Sequence, residues 1–407
     1  MSAEGAGAGA DAGAGAGAGA GDGLSKLVMP KWGLSMSEGR FIGWLVEEGA
    51  AVALGDGLAE VETDKIDGIV EATSAGTLLR RLARPGETIP VGAPIAVIGA
   101  AAADPAAVDA YAAELQASFV PGAEAESGQR TEALTVAGHR SRYLRLGGAE
   151  GAEGGEGAAG AAGAGNTVVL LHGFGGDLGN WLFNQEPLAS GGRTVIALDL
   201  PGHGESSKDV GAGDLAGLAA TVGAFLDGLG VARAHLVGHS LGGAVAARLA
   251  VARPGLVASL ALIAPGGFGD EIDGEYIDGF VAAESRRELK PLLERLFADP
   301  ELVTRRLVDD VLRMKRIDGV AEALGAIAAA VFPAGRQADR VAEALVGTGI
   351  PVLVVWGSAD RIVPVGQAQA APPGARVELL EGAGHSPHME RAGEVNRLLD
   401  EFLSAGR

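Results

Sequence analysis

The chain has 407 residues, a length that suits two or more domains rather than one small core. Its net charge of −20 argues against nucleic acid or an anionic membrane as a partner, because the chain would repel phosphate groups at long range. The absence of cysteine excludes disulfides, thiolate metal sites and a cysteine nucleophile, and it fits a reducing cytoplasm. We find no secretory signal and no run of about eighteen apolar residues, so we expect a soluble, cytoplasmic protein.

Residues 1–23 are almost entirely glycine and alanine, which cannot bury enough apolar surface to fold, and we predict a disordered tail. Residues 24–99 alternate short strand-like runs with glycines, which is typical of a small all-β domain. This segment repeats at a constant offset of 37 positions, with these pairs in register: Gly49 and Gly86, Val52 and Ile89, Gly55 and Gly92, Leu58 and Ile95. The duplication predicts two similar sheets that face each other, since one copy cannot cover its own apolar face.

The remainder of the chain changes pattern twice. We predict a linker over 100–130, with one amphipathic helix between Asp104 and Phe119. Residues 131–407 alternate apolar runs with helical stretches, which predicts a mostly parallel sheet covered on both faces. The predicted strands are Val168–Leu171, Val195–Leu198, Ala234–Val237, Ser259–Ile263 and Pro351–Trp356. We interpret Gly147–Gly165 as a surface loop and the charged, helix-prone segment at about 270–340 as a lid over the ligand-bearing edge.

Lys65 lies in the segment Glu62-Thr63-Asp64-Lys65-Ile66, between the two copies of the repeat, where the chain must reverse. Strand-forming residues flank this turn, and aspartate tolerates the backbone angles that a turn requires. The residues alone are compatible with an ordinary exposed lysine on a hairpin and with a lysine presented for covalent modification.

Ser240 lies in the segment Gly238-His239-Ser240-Leu241-Gly242, after an apolar run and before a helix-forming one. A strand, a glycine-flanked serine and a helix form the context of a nucleophile elbow, in which the turn leaves no room for side chains beside the serine. The segment His172-Gly173-Phe174-Gly175-Gly176 follows the first core strand and suits an oxyanion loop. We therefore expect the backbone N–H groups of Phe174 and Leu241 to be oxyanion donors.

Asp360 and His385 are the candidates to complete a catalytic triad with Ser240. Asp360 follows the strand that ends at Trp356, and His385 lies in a glycine-rich loop, so the order serine, aspartate, histidine matches that of α/β-hydrolases. Asp199 also ends a strand, but the segment after it, 200–206, resembles a structural turn of this superfamily. His388 is a second histidine near the site. The histidines show no metal-ligand spacing, and we expect no metal site.

Residues 24–99 resemble the lipoyl domains of 2-oxo-acid dehydrogenase complexes in the opening Met29–Gly39, in the Lys65 turn and in Gly76. Biotin carriers place methionines on both sides of the lysine, where this chain has Asp64 and Ile66. The resemblance implies lipoate in amide linkage on Lys65, added by a lipoate-attaching enzyme. Residues 131–407 resemble α/β-hydrolases over nearly their whole length.

A lipoyl sandwich followed by an α/β-hydrolase fold is similar to the acetyltransferase components of acetoin dehydrogenase complexes. That resemblance implies a thiamine-diphosphate-dependent enzyme that cleaves acetoin and acetylates the lipoyl arm. It also implies that coenzyme A receives the acetyl group and that dihydrolipoamide dehydrogenase reoxidises the thiols.

Acyltransferases of related complexes use a His-x-x-x-Asp-Gly motif, whereas the corresponding Asp318-Gly319 of this chain is preceded by no such histidine. Acetyl transfer would therefore depend on the triad. Three functions remain open: acyl transfer to coenzyme A, hydrolysis of an acyl-lipoyl thioester or another ester, and carriage of the lipoyl group beside a non-catalytic scaffold.

Overall fold

The computed structural model describes residues 24–30, 38–53, 55–62, 67–119, 131–147 and 166–405. Four predicted features lie wholly or mostly outside the described residues: the tail 1–23, the opening Met29–Gly39, the Lys65 turn and the loop Gly147–Gly165. The described residues form two compact units, one within 24–119 and one within 131–405.

The first unit consists of two four-stranded antiparallel sheets. Its strands are β1 Ser25–Val28, β2 Glu38–Trp44, β3 Ala51–Val52, β4 Gly57–Glu62, β5 Asp67–Glu71, β6 Gly76–Arg81, β7 Thr88–Pro90 and β8 Pro94–Gly99. The strand order is β1-β8-β6-β3 in one sheet and β5-β4-β2-β7 in the other. Apolar side chains from both sheets, among them Phe41, Leu58, Leu78 and Ile95, are fully buried.

The predicted duplication is visible in the backbone hydrogen bonds. Gly49 N donates to Leu78 O at 2.8 Å, and 37 residues later Gly86 N donates to Phe41 O at 2.7 Å. Gly49 and Gly86 have φ values of 86° and 84°, a conformation that favours glycine. Each copy thus bonds to the other at equivalent positions. The two sheets also correspond strand by strand, because the order β1-β8-β6-β3 of one sheet matches the order β5-β4-β2-β7 of the other when the two copies are exchanged.

Residues Pro105–Ser118 form helix α1, which belongs to the first unit. Its first turn is capped by Asp104, whose side chain accepts from Ala106 N at 3.3 Å. Val108 and Ala112 are buried against Val97 of β8. The amphipathic helix predicted within 100–130 therefore covers a sheet of the first unit, because two apolar positions one turn apart meet an apolar strand.

The second unit contains one eight-stranded sheet of order β16-β15-β14-β13-β11-β12-β10-β9. Its strands are β9 Thr131–Val136, β10 His139–Leu146, β11 Thr167–Leu171, β12 Thr194–Leu198, β13 Ala234–His239, β14 Val257–Ile263, β15 Val352–Gly357 and β16 Arg376–Leu380. Its helices are α2 Leu182–Ser190, α3 Leu215–Gly228, α4 Leu241–Ala252, α5 Gly274–Ala282, α6 Arg286–Leu293, α7 Arg305–Lys315, α8 Val320–Val331, α9 Val341–Ala344, α10 Pro387–Glu390 and α11 Ala392–Ser404.

The strands β11 to β16 run parallel, and β9, β10 and β12 pair antiparallel at one edge. All five predicted strands are present within two residues of their predicted bounds. Helices α3 and α4 cover one face of the sheet, and α2 and α11 cover the other. The predicted fold, a small β sandwich followed by a doubly covered α/β sheet, is therefore confirmed.

Helices α5 to α9 lie between β14 and β15, in and just beyond the segment predicted as a lid. Buried Phe280 of α5 and Phe332 after α8 both contact Phe174, which follows the C-terminal end of β11. Ligands of parallel α/β sheets bind at the C-terminal ends of the strands. In the part of the chain that the structure describes, no helix is both long and apolar enough to cross a membrane.

Candidate active site

Ser240 occupies a strained turn between β13 and α4. Its backbone has φ 52° and ψ −115°, a region that residues with side chains rarely adopt. The turn is possible because glycines surround it: a Cβ on Gly238 would collide with Gly242 O, and a Cβ on Gly242 would lie 2.5 Å from His172 O. The strain therefore presents the serine at the C-terminal edge of the sheet.

The Ser240 hydroxyl is available for chemistry. A serine at the residue before a helix normally accepts a hydrogen bond from the first turn, but the Ser240 side chain makes no capping bond to α4. The Ser240 backbone is held firmly, because its N–H donates to Ile263 O at 3.0 Å and its carbonyl accepts from Gly266 N at 3.0 Å. No hydrogen bond joins its hydroxyl to another described residue, and catalytic hydrogen bonds often tighten only when a substrate binds.

Asp360 and His385 form a buried pair. His385 Nδ1 and Asp360 Oδ2 are 2.8 Å apart, and their side chains are 2% and 0% exposed. The carboxylate also accepts from Trp356 Nε1 at 2.9 Å and from the N–H groups of Ile362 and Val363 at 2.8 and 3.0 Å. The Asp360 carboxylate thus accepts at both oxygens, and an imidazole that donates to it from Nδ1 has its lone pair on Nε2.

Two backbone N–H groups near Ser240 lack hydrogen-bond acceptors. Leu241 is the first residue of α4, and Phe174 follows the end of β11, which neighbours β13 in the sheet. Neither N–H donates a hydrogen bond to a described residue. The loop lies directly against the nucleophile, because a Cβ on Gly173 would be 3.3 Å from Ser240 Cβ. Among the described residues both N–H groups thus remain without an acceptor, as the prediction of oxyanion donors requires.

His239 links the elbow to the histidine loop, a contact that the sequence analysis missed. Its Nε2 lies 2.8 Å from His385 O, and since a carbonyl only accepts, Nε2 carries the proton. Burial, with His388 and His385 nearby, holds the pKa of His239 well below its ordinary value. Its position beside Ser240 was the only sequence signal, because the acceptor lies 146 residues away.

The competing candidates take structural positions. Asp199 Oδ1 accepts from Leu178 N at 2.8 Å, and its Oδ2 accepts from Glu205 N at 3.0 Å, so it holds the turn after β12. His388 is fully buried between the rings of Trp181 and His239, and burial lowers its pKa to about 3. Neither residue forms a hydrogen bond with His385 in the part of the chain that is described.

Lys65 itself lies outside the described residues, but both strands that lead to it are present. β4 and β5 pair antiparallel, and their last pair is Glu62 with Asp67. Residues 63–66 therefore connect two paired strands, as the prediction of a turn requires. Among the described residues, no cluster of three or more metal-ligating side chains is found.

Comparison with known proteins supports both units. Residues 166–392 match the family described as alpha/beta hydrolase fold, and residues 25–98 match the biotin and lipoyl family described as biotin-requiring enzyme. The dihydrolipoyllysine-residue acetyltransferase component of the acetoin cleaving system of Cupriavidus necator is 48% identical over 93% of this chain and 96% of its own. The component of the same name from Pseudomonas putida is 48% identical over 93% of this chain and 98% of its own.

The chain belongs to this acetyltransferase family. This chain combines the carrier fold and the hydrolase fold, in that order. Among solved structures, a meta-cleavage product hydrolase from Pseudomonas fluorescens superposes with a TM-score of 0.59 at 22% identity. The match covers 68% of this chain and 98% of the hydrolase chain, and a likeness at 22% identity shows the fold alone.

Proposed function

We propose that this chain transfers an acetyl group from a lipoyl thioester to coenzyme A, with Ser240 as nucleophile, His385 as general base and Asp360 as the group that orients it. The observation that carries the proposal is the buried His385–Asp360 pair, which the His385 carbonyl joins to His239, the residue before a strained, uncapped Ser240, in a chain of an acetyltransferase family. An acyl-enzyme on serine is the common route of such triads.

In the first half-reaction, Ser240 Oγ attacks the carbonyl carbon of the thioester while its proton moves to His385 Nε2. The negative charge that develops on the carbonyl oxygen is stabilised by the N–H groups of Phe174 and Leu241. The carbon–sulfur bond then breaks, the proton on Nε2 passes to the leaving sulfur, and the acetyl group remains as an ester on Ser240. Asp360 stabilises the imidazolium without taking its proton.

In the second half-reaction, His385 Nε2 takes the proton of the coenzyme A thiol, and the sulfur attacks the acetyl carbon on Ser240. The bond from carbon to Oγ breaks, and the proton returns from Nε2 to Oγ. The products are acetyl-coenzyme A and free enzyme. A water molecule in place of the thiol would give acetate, so the choice between transferase and hydrolase depends on which nucleophile reaches the acyl-enzyme.

Lys65 is the attachment residue in this proposal, because it lies in the segment that connects β4 to β5 in a unit that matches the biotin and lipoyl family. Lipoate in amide linkage there would supply the thiol that holds the acetyl group as a thioester. Tethering such a group within one chain raises its effective concentration to about the millimolar range. Amide formation also removes the positive charge of the lysine.

The family name places its members in an acetoin cleaving system. We accordingly propose three partners for this chain: a thiamine-diphosphate-dependent acetoin-cleaving enzyme, dihydrolipoamide dehydrogenase and a lipoate-attaching enzyme. Each of them acts on the group carried by Lys65.

The test follows acetyl-dihydrolipoamide with purified full-length protein, with and without coenzyme A, by mass spectrometry. Wild type is expected to form acetyl-coenzyme A through an acetyl ester on Ser240, and Ser240→Ala is expected to form neither. Acetate at a rate that coenzyme A does not change would identify a hydrolase instead. Transfer that survives Ser240→Ala would refute the triad, and its absence in wild type would refute acetyl transfer by this chain.

A further inference from the structure

A groove of about 650 Å³ lies between the start of α6 and the end of α7. Its size is within the usual range for small-molecule sites. The charged residues that line it are Glu284, Arg286, Arg287, Asp309, Arg313 and Arg316. Four arginines against two acids give this groove a positive lining in a chain whose net charge is −20.

Two of the four arginines are neutralised. Arg286 forms a two-bond contact with Asp309, in which Nη2 to Oδ2 measures 2.8 Å, and Arg313 Nη2 lies 3.0 Å from Asp310 Oδ1. Arg287 and Arg316 differ, because both are exposed and neither guanidinium group forms an ion pair or hydrogen bond with a described residue. The charges of the lining that no ion pair neutralises are therefore these two guanidinium groups and the carboxylate of Glu284, which leaves the groove positive.

Lys315 links the end of α7 to the oxyanion loop. Its Nζ lies 4.8 Å from the centroid of the Phe280 ring in α5, and the ring centroids of Phe280 and Phe174 are 5.9 Å apart. Arg316 directly follows Lys315. The end of α7, which carries one of the two unpaired arginines, thus contacts the residue that packs on the loop beside Ser240.

We propose that this groove binds the phosphate groups of the coenzyme A nucleotide, with Arg287 and Arg316 as the main contacts. Guanidinium groups suit phosphate oxygens because their planar donors bond two oxygens at once. The pantetheine arm, about as long as an extended chain of four residues or roughly 13–14 Å, would carry the thiol from the groove towards Ser240. The proposal rests on the proposed acetyl transfer to coenzyme A.

A binding measurement tests the site without catalysis. Titration calorimetry with desulfo-coenzyme A compares full-length wild type with the double variant Arg287→Gln/Arg316→Gln. We expect the variant to bind at least about tenfold more weakly, since each contact to a charged group is lost. The matched control, Arg233→Gln/Arg397→Gln, removes two exposed arginines outside the groove and should bind as wild type does. Equal affinities in wild type and the groove variant, or no binding by wild type, would overturn the site.

A kinetic measurement tests the orientation of the acceptor. Pantetheine carries the same thiol but lacks the nucleotide, so the ratio of its KM to that of coenzyme A reports the contribution of the phosphates. In the groove variant the ratio of the two KM values should lie at least about tenfold closer to one than in wild type. An unchanged ratio would overturn the site. If desulfo-coenzyme A binding depends on the two arginines but wild type forms no acetyl-coenzyme A, the groove stands as a nucleotide site and the proposed transfer fails.

Discussion

Replacing Asp360 by asparagine tests the proposed triad directly. The carboxylate has two donors on each oxygen: Ile362 N and Val363 N on Oδ1, and His385 Nδ1 and Trp356 Nε1 on Oδ2. The asparagine oxygen is expected at the Oδ1 position, because the opposite rotamer would point its NH₂ at two backbone donors. The NH₂ then faces His385 Nδ1, which can accept only if its proton moves to Nε2.

That tautomer has no lone pair on Nε2 for the Ser240 proton. We therefore expect acetylation of Ser240 to slow by about 10⁴-fold, the effect known for replacement of the orienting aspartate of a triad by asparagine. Stability should fall less severely, by about 1–3 kcal/mol, because one charge-assisted bond is lost. Trp356 Nε1 keeps a second acceptor, Val363 O at 3.2 Å, which limits the cost.

The assay measures the rate of acetyl-enzyme formation from acetyl-dihydrolipoamide by quenched-flow mass spectrometry, corrected for the folded fraction from urea unfolding. Asp199→Asn is the matched control, because Asp199 is equally buried and also accepts backbone hydrogen bonds but does not contact His385. The control should lose stability and keep a rate within about tenfold of wild type. A rate for Asp360→Asn within tenfold of wild type, or an equal loss in Asp199→Asn, would refute the assignment of Asp360.

Three further predictions concern the scaffold. Gly242→Ala forces a Cβ to 2.5 Å from His172 O and should cost about 3 kcal/mol or more in urea unfolding, whereas Gly255→Ala, with open space around it, should change stability by less than about 1 kcal/mol. As pH falls from 6 to 5, unfolding of the second unit takes up protons at His172, His203, His239 and His388, whose pKa values burial depresses, while Asp177, with its pKa raised to about 6, offsets one. The stabilisation from these histidines is thus fully present above pH 6.5, and the free energy of unfolding falls by roughly 4 kcal/mol per pH unit between pH 6 and 5. His388→Phe should make this slope shallower by about one proton, and a flat profile would contradict the burial argument. Val108→Asp should destabilise the first unit by about 3 kcal/mol or more, because it places a charge at a 2% exposed position against Val97; unchanged unfolding would mean that α1 does not pack there.

Much of the fold was predictable because its signals are local. A repeat at a constant offset of 37 positions predicts two paired sheets whatever conformation the connecting loops adopt, since each copy must bury its apolar face against another. The five core strands are continuous apolar runs, and the elbow at Ser240 is a strand, a glycine pair and a helix within twenty residues. The missed strands β9, β10 and β16 lie at or near sheet edges, where exposed positions interrupt the apolar pattern. The sequence thus determined the two folds and the position of the candidate nucleophile. It also predicted the turn at Lys65.

Tertiary structure decided which side chains meet. The sequence offers Asp199 and Asp360 at strand ends and two histidines three positions apart, His385 and His388, and it favours Asp360 and His385 only through their resemblance to α/β-hydrolases. The choice follows from strand order: β15 lies beside β16, so the turn after β15 and the loop after β16 meet, and His385 reaches Asp360. His239 bonds the His385 carbonyl across 146 residues, and α1 packs against β8. Such contacts depend on where strands lie in a sheet, a property set by the packing of the whole chain rather than by any short segment.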